Sequence, residues 1–384
     1  MKVAVLGYGT VGAGVYSMLS DAPGMEAGPV LVRPGKAVES FMVGDAALIF
    51  GDPTVDAVVE TLGGLDPAYS YGMRALEAGK HFITANKAMV AAHGLELAAL
   101  AREKGAAFLF SAACGGGVPF LHNLALSAET DRIEAVSGIL NGTTNYMLDA
   151  MQRRGLSYGD ALREAQSLGY AESDPTADVS GLDALRKMQL ACAVAFGVLP
   201  QSGMLCEGME HFTAADVEDI QSRGLVCRLM ARGSRAGESV SAYVEPVLFP
   251  RAAPESSVFT NNNMARYTGK RCGSIVLMGQ GAGRFPTASA VLRDLAAAQQ
   301  GARSMFQENC RAAEADNREA VHSYYIRTGG FAAVRLSLRS VLAQGEVVRA
   351  VTEPMSAEKM HALAQNIRKD GNDLFFAALE EELC

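Results

Sequence analysis

The chain has 384 residues, enough for two or three domains with sizeable cores. Hydrophobic residues make up 49% and charged residues 20%, which excludes a disordered chain. A formal net charge of −8 argues against nucleic acid or an anionic membrane surface as main partner, although a local basic pocket stays open. The seven cysteines (114, 192, 206, 227, 272, 310 and 384) are odd in number and lack CxxC or Cys/His spacing. They read as free thiols in a reducing compartment, not as a disulfide framework or a zinc site. "MKVAVLGYG" enters a strand at once, and no apolar run is long enough to span a bilayer. A cytoplasmic protein is expected.

Residues 1 to about 110 alternate β-rich runs with helical stretches, as βαβ units do. "KVAVLG" is continuously apolar, as a strand buried on both faces should be. "PVLV", "AALIF", "DAVVETL", "HFITA" and "AAFLF" are further strand candidates. "YSYGMRALEAGK" and "GLELAALAREKG" are helix candidates, each closed by a basic residue and glycine. After the turn "SAACGGGVPF" come a helix ("LHNLALSA"), a strand ("RIEAVSGIL") and two helices. The second of these opens at Ser157 with Asp160 three residues on, a capping-box spacing. "SAYVEPVLF" and "GSIVLMG" read as strands, "TASAVLRDLAAAQQGA" as a helix and 303–320 as a polar connection. From 321 the pattern is β-α-β-α, with "SAEKMHALAQNIRKDG" the clearest helix. No internal repeat or low-complexity segment is visible.

"GYGTVG" places Gly7, Gly9 and Gly12 in GxGxxG spacing, with Thr10 and Val11 between the last two. The motif follows an apolar strand and opens a helix, the context a dinucleotide site requires. Gly7 permits the turn, Gly9 lets the backbone approach a pyrophosphate, and Gly12 lets helix and strand pack closely. The second strand ends at Arg33, with Lys36 close behind, where an NAD site usually carries an acid. A cation there suits a 2′-phosphate and favours NADP over NAD. A solvated surface arginine is an equal reading.

"AESDPTADVSGLDALRK", from Ala171 to Lys187, concentrates four carboxylates beside a core-like helix. Gly, Pro and Asx residues make "GYAESDPTAD" a loop, and the chain is expected to turn helical from Val179. Asp183 and Lys187 are then i,i+4 on one face, with the acid first, the favourable order. Leu182, Leu185 and Ala193 would point into the core. Periodicity leaves two readings open: a surface salt bridge worth about 0–1 kcal/mol, or a partly buried acid/base pair.

The stretch from Ala165 to Lys187 resembles the signature of the homoserine dehydrogenases: A-x-x-x-G-Y, D-P-x-x-D, G-x-D and a closing lysine. "GYGTVG", "ETLGG" (60–64), "TANK" (84–87), "GGGVP" (115–119), "GILNGTTNYML" (138–148) and "GQGAGRFPTASAV" (279–291) follow the family's order. The resemblance covers about residues 1–300. It implies an α/β protein in three parts. A Rossmann domain would span 1–125, with 280–302 packing back on it. An α+β catalytic and dimerisation domain with a mixed sheet would span 126–300. A C-terminal α+β tail, 321–384, would be either a reduced ACT-like domain or a structural appendage, and it lacks the D-x-P-G turn of the usual amino-acid site. The implied activity is reversible NAD(P)H-dependent reduction of L-aspartate 4-semialdehyde to L-homoserine, in threonine and methionine biosynthesis. A homodimer or dimer of dimers is expected.

Carried over by position, the resemblance makes Lys187 and Lys87 the essential lysines, and Asp183 the acid that orients Lys187. Either lysine can protonate the alkoxide left by hydride delivery. Glu172 would bind the substrate ammonium, with Tyr170, Asp178, Gly142 and Thr143 around it. Asn86, Lys87 and the turn from Gly281 to Gly283 would contact the cofactor. "RIEAVSGIL" is similar to the family's monovalent-cation loop, which implies Na⁺ or K⁺ on the carbonyls of Val136, Gly138 and Leu140; a plain strand end is the other reading. Ser111 departs from the acid that many members carry before the Gly-rich turn. Cys114 has no accompanying base motif and reads as packing, and the six histidines form no metal-like cluster. Two rivals remain: a semialdehyde dehydrogenase that forms an acyl phosphate through an activated cysteine, and a non-catalytic NADP sensor of the same fold.

Overall fold

The computed structural model describes residues 1–329, 338–345 and 347–380. The chain forms two compact units. The first comprises Met1–Ile133, Gln189–Leu199 and Gly269–Arg311; the second comprises Glu134–Met188, Pro200–Thr268 and the residues from Ala312 onward.

The first unit is built on a six-stranded sheet. Its strands, in spatial order, are Met42–Val43, Glu26–Leu31, Lys2–Leu6, Ala57–Glu60, His81–Thr84 and Phe108–Leu109. Every pairing is parallel. This is the doubly wound order of a Rossmann domain, whose direction reverses beside the first strand. Helices on both sides exclude water, so Val3, Val5, Val58 and Val59 are wholly buried, as a parallel sheet requires.

One expected strand is wrong. "AALIF" forms a single helical turn, Ala47–Phe50, because Asp45 accepts a hydrogen bond from the Ala47 N–H at 2.8 Å and so favours a turn. The edge strand is Met42–Val43, just upstream. The region 303–320 is also less polar in role than in composition. Met305 and Phe306 are buried, and the Phe306 ring lies 4.9 Å from that of Phe110.

The helix Arg284–Gln299 packs against the helix Thr10–Leu19. A Cβ on Gly14 would lie 2.8 Å from the Arg284 carbonyl, so glycine sets this approach. From the same helix, buried Asp294 accepts a 2.8 Å hydrogen bond from the Ser111 N–H.

In the second unit a mixed sheet runs Asn262–Gly269, Ile133–Ile139, Leu225–Ala236, Ser239–Pro250, Leu374–Leu379, Tyr324–Thr328, Val348–Thr352 and Leu338–Ala343. A long hairpin, Leu225–Ala236 with Ser239–Pro250, forms its centre. The segment after 321 is not the alternating β-α-β-α expected. Three described strands of the sheet precede the helix Ala357–Lys369, and Leu374–Leu379 follows it. This last strand pairs in parallel with the hairpin, and Phe376 and Ile326 share a core with Val247 and Phe249. Residues 330–337, 346 and 381–384 of the tail lie outside the described residues.

Ser157 caps the helix Tyr158–Ser167 by accepting from the Asp160 N–H at 3.1 Å. The expected helix start at Val179 divides in two. A turn, Thr176–Val179, is followed by Gly181 at φ +82° and then the helix Leu182–Phe196. A left-handed glycine breaks the helix there. Leu185 and Ala193 are buried as expected, whereas Leu182 is 40% exposed on the first turn.

Burial pushes the Asp294 carboxyl up to about 7 from an ordinary 3.8. A raised carboxyl pKa means the fold prefers the neutral acid, so its stabilising contribution is complete below the unfolded value and is lost as pH rises through about 7. Asp294→Asn should therefore gain stability relative to wild type as pH rises from about 4 to about 8, by at most about 1.4 kcal/mol for each pH unit. Urea unfolding at a series of pH values measures this; a difference that stays constant with pH would contradict it.

Candidate active site

The strand Ile133–Ile139 delivers Leu140 and Asn141 to the start of the helix Gly142–Arg154. Asn141 is the N-cap, accepting from the Thr144 N–H at 2.8 Å. Helix Leu182–Phe196 presents Asp183 and Lys187 one turn apart. The Lys187 Nζ lies 2.6 Å from Asp183 Oδ2 and donates to the Leu140 carbonyl at 2.6 Å. Their side chains are only 12% and 11% exposed, which decides between the two readings of the pair: it is withdrawn from water and is not a surface bridge.

The residues expected around the substrate, Glu172 excepted, gather around the same point. Asp178 accepts from the Asn141 amide at 2.7 Å and faces the Thr143 hydroxyl at 3.1 Å. Thr143 Oγ1 also reaches the Tyr170 carbonyl at 2.5 Å. The Tyr170 ring stands 5.1 Å from that of Tyr146. A Cβ on Gly142 would lie 2.8 Å from the Asn261 carbonyl, so this residue is fixed by close backbone approach. Glu172 stands apart, exposed on the loop, with its backbone carbonyl held by Gln166 at 3.1 Å.

In the first unit, Gly7 turns at φ +100° and Gly9 is the N-cap of the helix Thr10–Leu19. A Cβ on Gly12 would lie 2.1 Å from the Gly7 carbonyl, whereas one on Gly9 would meet nothing within 4 Å. Gly12 is thus a packing glycine, and Gly9 borders open space. No side chain caps this helix and its first turn holds no acid, so its leading N–H groups face outward as an anion site does. Arg33 is exposed beyond the strand Glu26–Leu31.

Asn86 is more engaged than expected of a cofactor contact. It caps the helix Lys87–Lys104 through the Met89 N–H at 3.1 Å and donates to the Gly64 carbonyl at 2.6 Å. Lys87 is the half-buried first residue of that helix. A fully buried acid to which the sequence pattern assigns no role, Glu60, accepts from the Leu62 and Gly63 N–H groups at 2.6 and 3.1 Å and from the Thr84 hydroxyl at 2.5 Å. "ETLGG" and "TANK" are therefore one bonded loop pair. Gly281 and Gly283 sit at a second glycine turn; a Cβ on Gly116 would lie 2.4 Å from the Gly281 carbonyl.

Val136 and Gly138 lie in a strand that pairs on both sides, with Leu225–Ala236 and with Asn262–Gly269, so the sheet ladders compete for their carbonyls. Leu140 fits less well, because its carbonyl already bears the Lys187 ammonium. A cation there would sit beside a positive charge.

Two family profiles match the chain: the homoserine dehydrogenase NAD-binding domain over residues 7–111 and homoserine dehydrogenase over 119–296. The homoserine dehydrogenase of Synechocystis sp. is 38% identical over 319 residues, covering 77% of this chain and 72% of the relative. The chain belongs to the homoserine dehydrogenase family. Among solved structures, the homoserine dehydrogenase of Thiobacillus denitrificans matches with a TM-score of 0.86 and 30% identity, covering 99% of this chain and 98% of that one. A hyperthermophilic archaeal homoserine dehydrogenase solved with NADPH shares the fold at a TM-score of 0.67 and 24% identity, over 81% of this chain and 99% of its own. As a homoserine dehydrogenase family member, the chain has a nicotinamide-binding domain in its first unit. Cys114, which read as a packing residue, is fully buried.

The two glycines should separate on mutation. Gly9→Ala should keep the melting temperature but weaken NADPH binding about tenfold or more, since its Cβ enters the space a pyrophosphate would approach. Gly12→Ala should lower stability by about 1–3 kcal/mol through overpacking. Nicotinamide fluorescence titration and thermal melts measure both; identical behaviour of the two variants would contradict the assignment.

Proposed function

We propose that the chain catalyses the reversible NAD(P)H-dependent reduction of L-aspartate 4-semialdehyde to L-homoserine. The observation that carries the chemistry is the withdrawn Lys187 ammonium, held between Asp183 and a backbone carbonyl. The reduced nicotinamide, when bound, supplies the hydride. The aldehyde oxygen then gathers negative charge, and Lys187 supplies both a positive field and a proton. Asp183 holds the lysine in its charged form and fixes its direction. Asp178, Thr143 and Tyr170 shape the substrate's polar end, and exposed Glu172 is assigned to its ammonium. Lys87 is the second candidate for the proton.

The same reading places the cofactor phosphates on Gly7, Gly9, Thr10, Val11 and Gly12, with Asn86, Gly281 and Gly283 in supporting turns. Arg33 is assigned to the 2′-phosphate, which makes NADP the preferred cofactor and NAD the poorer one. It also carries a role in threonine and methionine biosynthesis, a cytoplasmic location and a homodimer or dimer of dimers. Among the described residues no helix is long and apolar enough to cross a membrane.

Turnover of aspartate semialdehyde with NADPH, followed at the nicotinamide band, tests the proposal. Lys187→Ala should lower kcat by about 10²–10⁴. Tight NADPH binding without wild-type turnover would identify a sensor instead. Homoserine oxidation needs a neutral lysine, so its rate should climb with pH through a lysine-like limb. Asp183→Asn removes the charge that favours the ammonium. The limb should therefore move to lower pH as kcat falls, and a limb that does not move would remove Asp183 from the mechanism. Arg33→Ala should raise the KM for NADPH about tenfold and leave that for NADH nearly unchanged.

A further inference from the structure

In sequence, Asn141 is only one letter of "GILNGTTNYML". In the fold its amide meets both acids of the site, donating to Asp178 Oδ1 at 2.7 Å and to Asp183 Oδ2 at 3.0 Å. Its orientation is not free. The Oδ1 accepts from the Thr144 N–H at 2.8 Å, and a backbone N–H can only donate, so the NH₂ must face the carboxylates. Both amide hydrogens are spent, one on each acid.

The contacts close a ring. Asp183 Oδ2 receives both the Asn141 amide and the Lys187 ammonium. That ammonium also donates to the carbonyl of Leu140, the residue just before Asn141. One dipeptide therefore grips the lysine with its backbone and the lysine's partner acid with its side chain.

We propose that Asn141 is a positioning residue for proton transfer: a neutral donor that separates Asp178 from Asp183 and thereby keeps Asp183 directed at Lys187. The proposal rests on Lys187 as proton carrier. The charged groups facing the amide are Asp178 from the turn Thr176–Val179, and Asp183 with Lys187 from the helix Leu182–Phe196. Two carboxylates on one nitrogen are close neighbours. Without the donor between them, one would retain a proton. A proton kept by Asp178, the acid without the lysine's charge beside it, would then compete with Lys187 for the Asp183 carboxylate. Loss of Asn141 is thus felt at the lysine through Asp183.

Two variants separate this role from helix capping. Aspartate caps a helix as well as asparagine does, so Asn141→Asp keeps the bond to Thr144 but turns an acceptor toward two acids. Asn141→Ser keeps a cap and a single donor. Steady-state rates in both directions from about pH 6 to about pH 10, NADPH titrations and thermal melts are compared for wild type, both variants and Lys187→Ala. Expected for Asn141→Asp is a loss of kcat of about 30-fold or more at pH 8 with unchanged NADPH affinity. The reduction rate should recover toward wild type as pH falls, because a protonated Asp donates again. Asn141→Ser should lose about tenfold, and it decides the matter if Asn141→Asp does not fold. Wild-type kcat and pH profile in the folded variants, with Lys187→Ala inactive, would overturn the role of Asn141. Turnover retained in Lys187→Ala would instead overturn the reading beneath it.

Discussion

The second unit's site depends on one buried ion pair, Lys187 with Asp183. Taking two charges out of water costs several kcal/mol per ion unless other bonds complete their shells. The neighbouring residues supply them: the Leu140 carbonyl completes the lysine, and the Asn141 amide completes the acid. This requirement explains why strand Ile133–Ile139, helix Gly142–Arg154 and helix Leu182–Phe196 all converge at their ends. Asp178 adds a second acid, so the lysine and two carboxylates carry a net negative charge. A substrate bearing an ammonium would reduce that imbalance, and one bearing only anionic groups would increase it.

Most of this frame was legible because its determinants are local. The pair Asp183 and Lys187 follows from i,i+4 spacing, and the βαβ units and their glycine turn from alternating β and α periods, while the Rossmann domain was what the family resemblance implied. Ser157 capped its helix as its spacing implied. "AALIF" is apolar enough for a strand, but four apolar residues after a turn-forming Asp fit one helical turn equally well, and only the sheet's edge decides. Leu182 fell on the exposed side because Gly181 moved the helix start three residues downstream of Val179. The roles of Asn141, Glu60 and Asp294 leave no local trace, because a single asparagine or acid at a strand or helix position carries no periodic signal. Their roles come from partners tens of residues away or more, such as Ser111 for Asp294 and Thr84 for Glu60.

Distant pairing also governs the tail. The family resemblance implied a separate piece, yet Leu374–Leu379 pairs with Ser239–Pro250 and Phe376 joins its core. A parallel pairing across more than a hundred residues leaves no local periodicity to read. Its sequence trace is only the continuous apolar run "LFFAAL", and a buried helix segment could carry the same trace.

The two units use the same element in opposite ways. Helix Thr10–Leu19 begins at a glycine with no side chain to bond its first N–H groups, and helix Gly142–Arg154 begins at an asparagine that bonds them. Unsatisfied N–H groups beside open space attract an external anion. Satisfied ones instead lock the capping side chain. In the second unit that locked side chain is the donor facing Asp178 and Asp183. The cap is therefore more than a contribution to helix stability. It fixes which end of the amide the two acids meet, and through Asp183 it reaches the lysine that Asp183 holds.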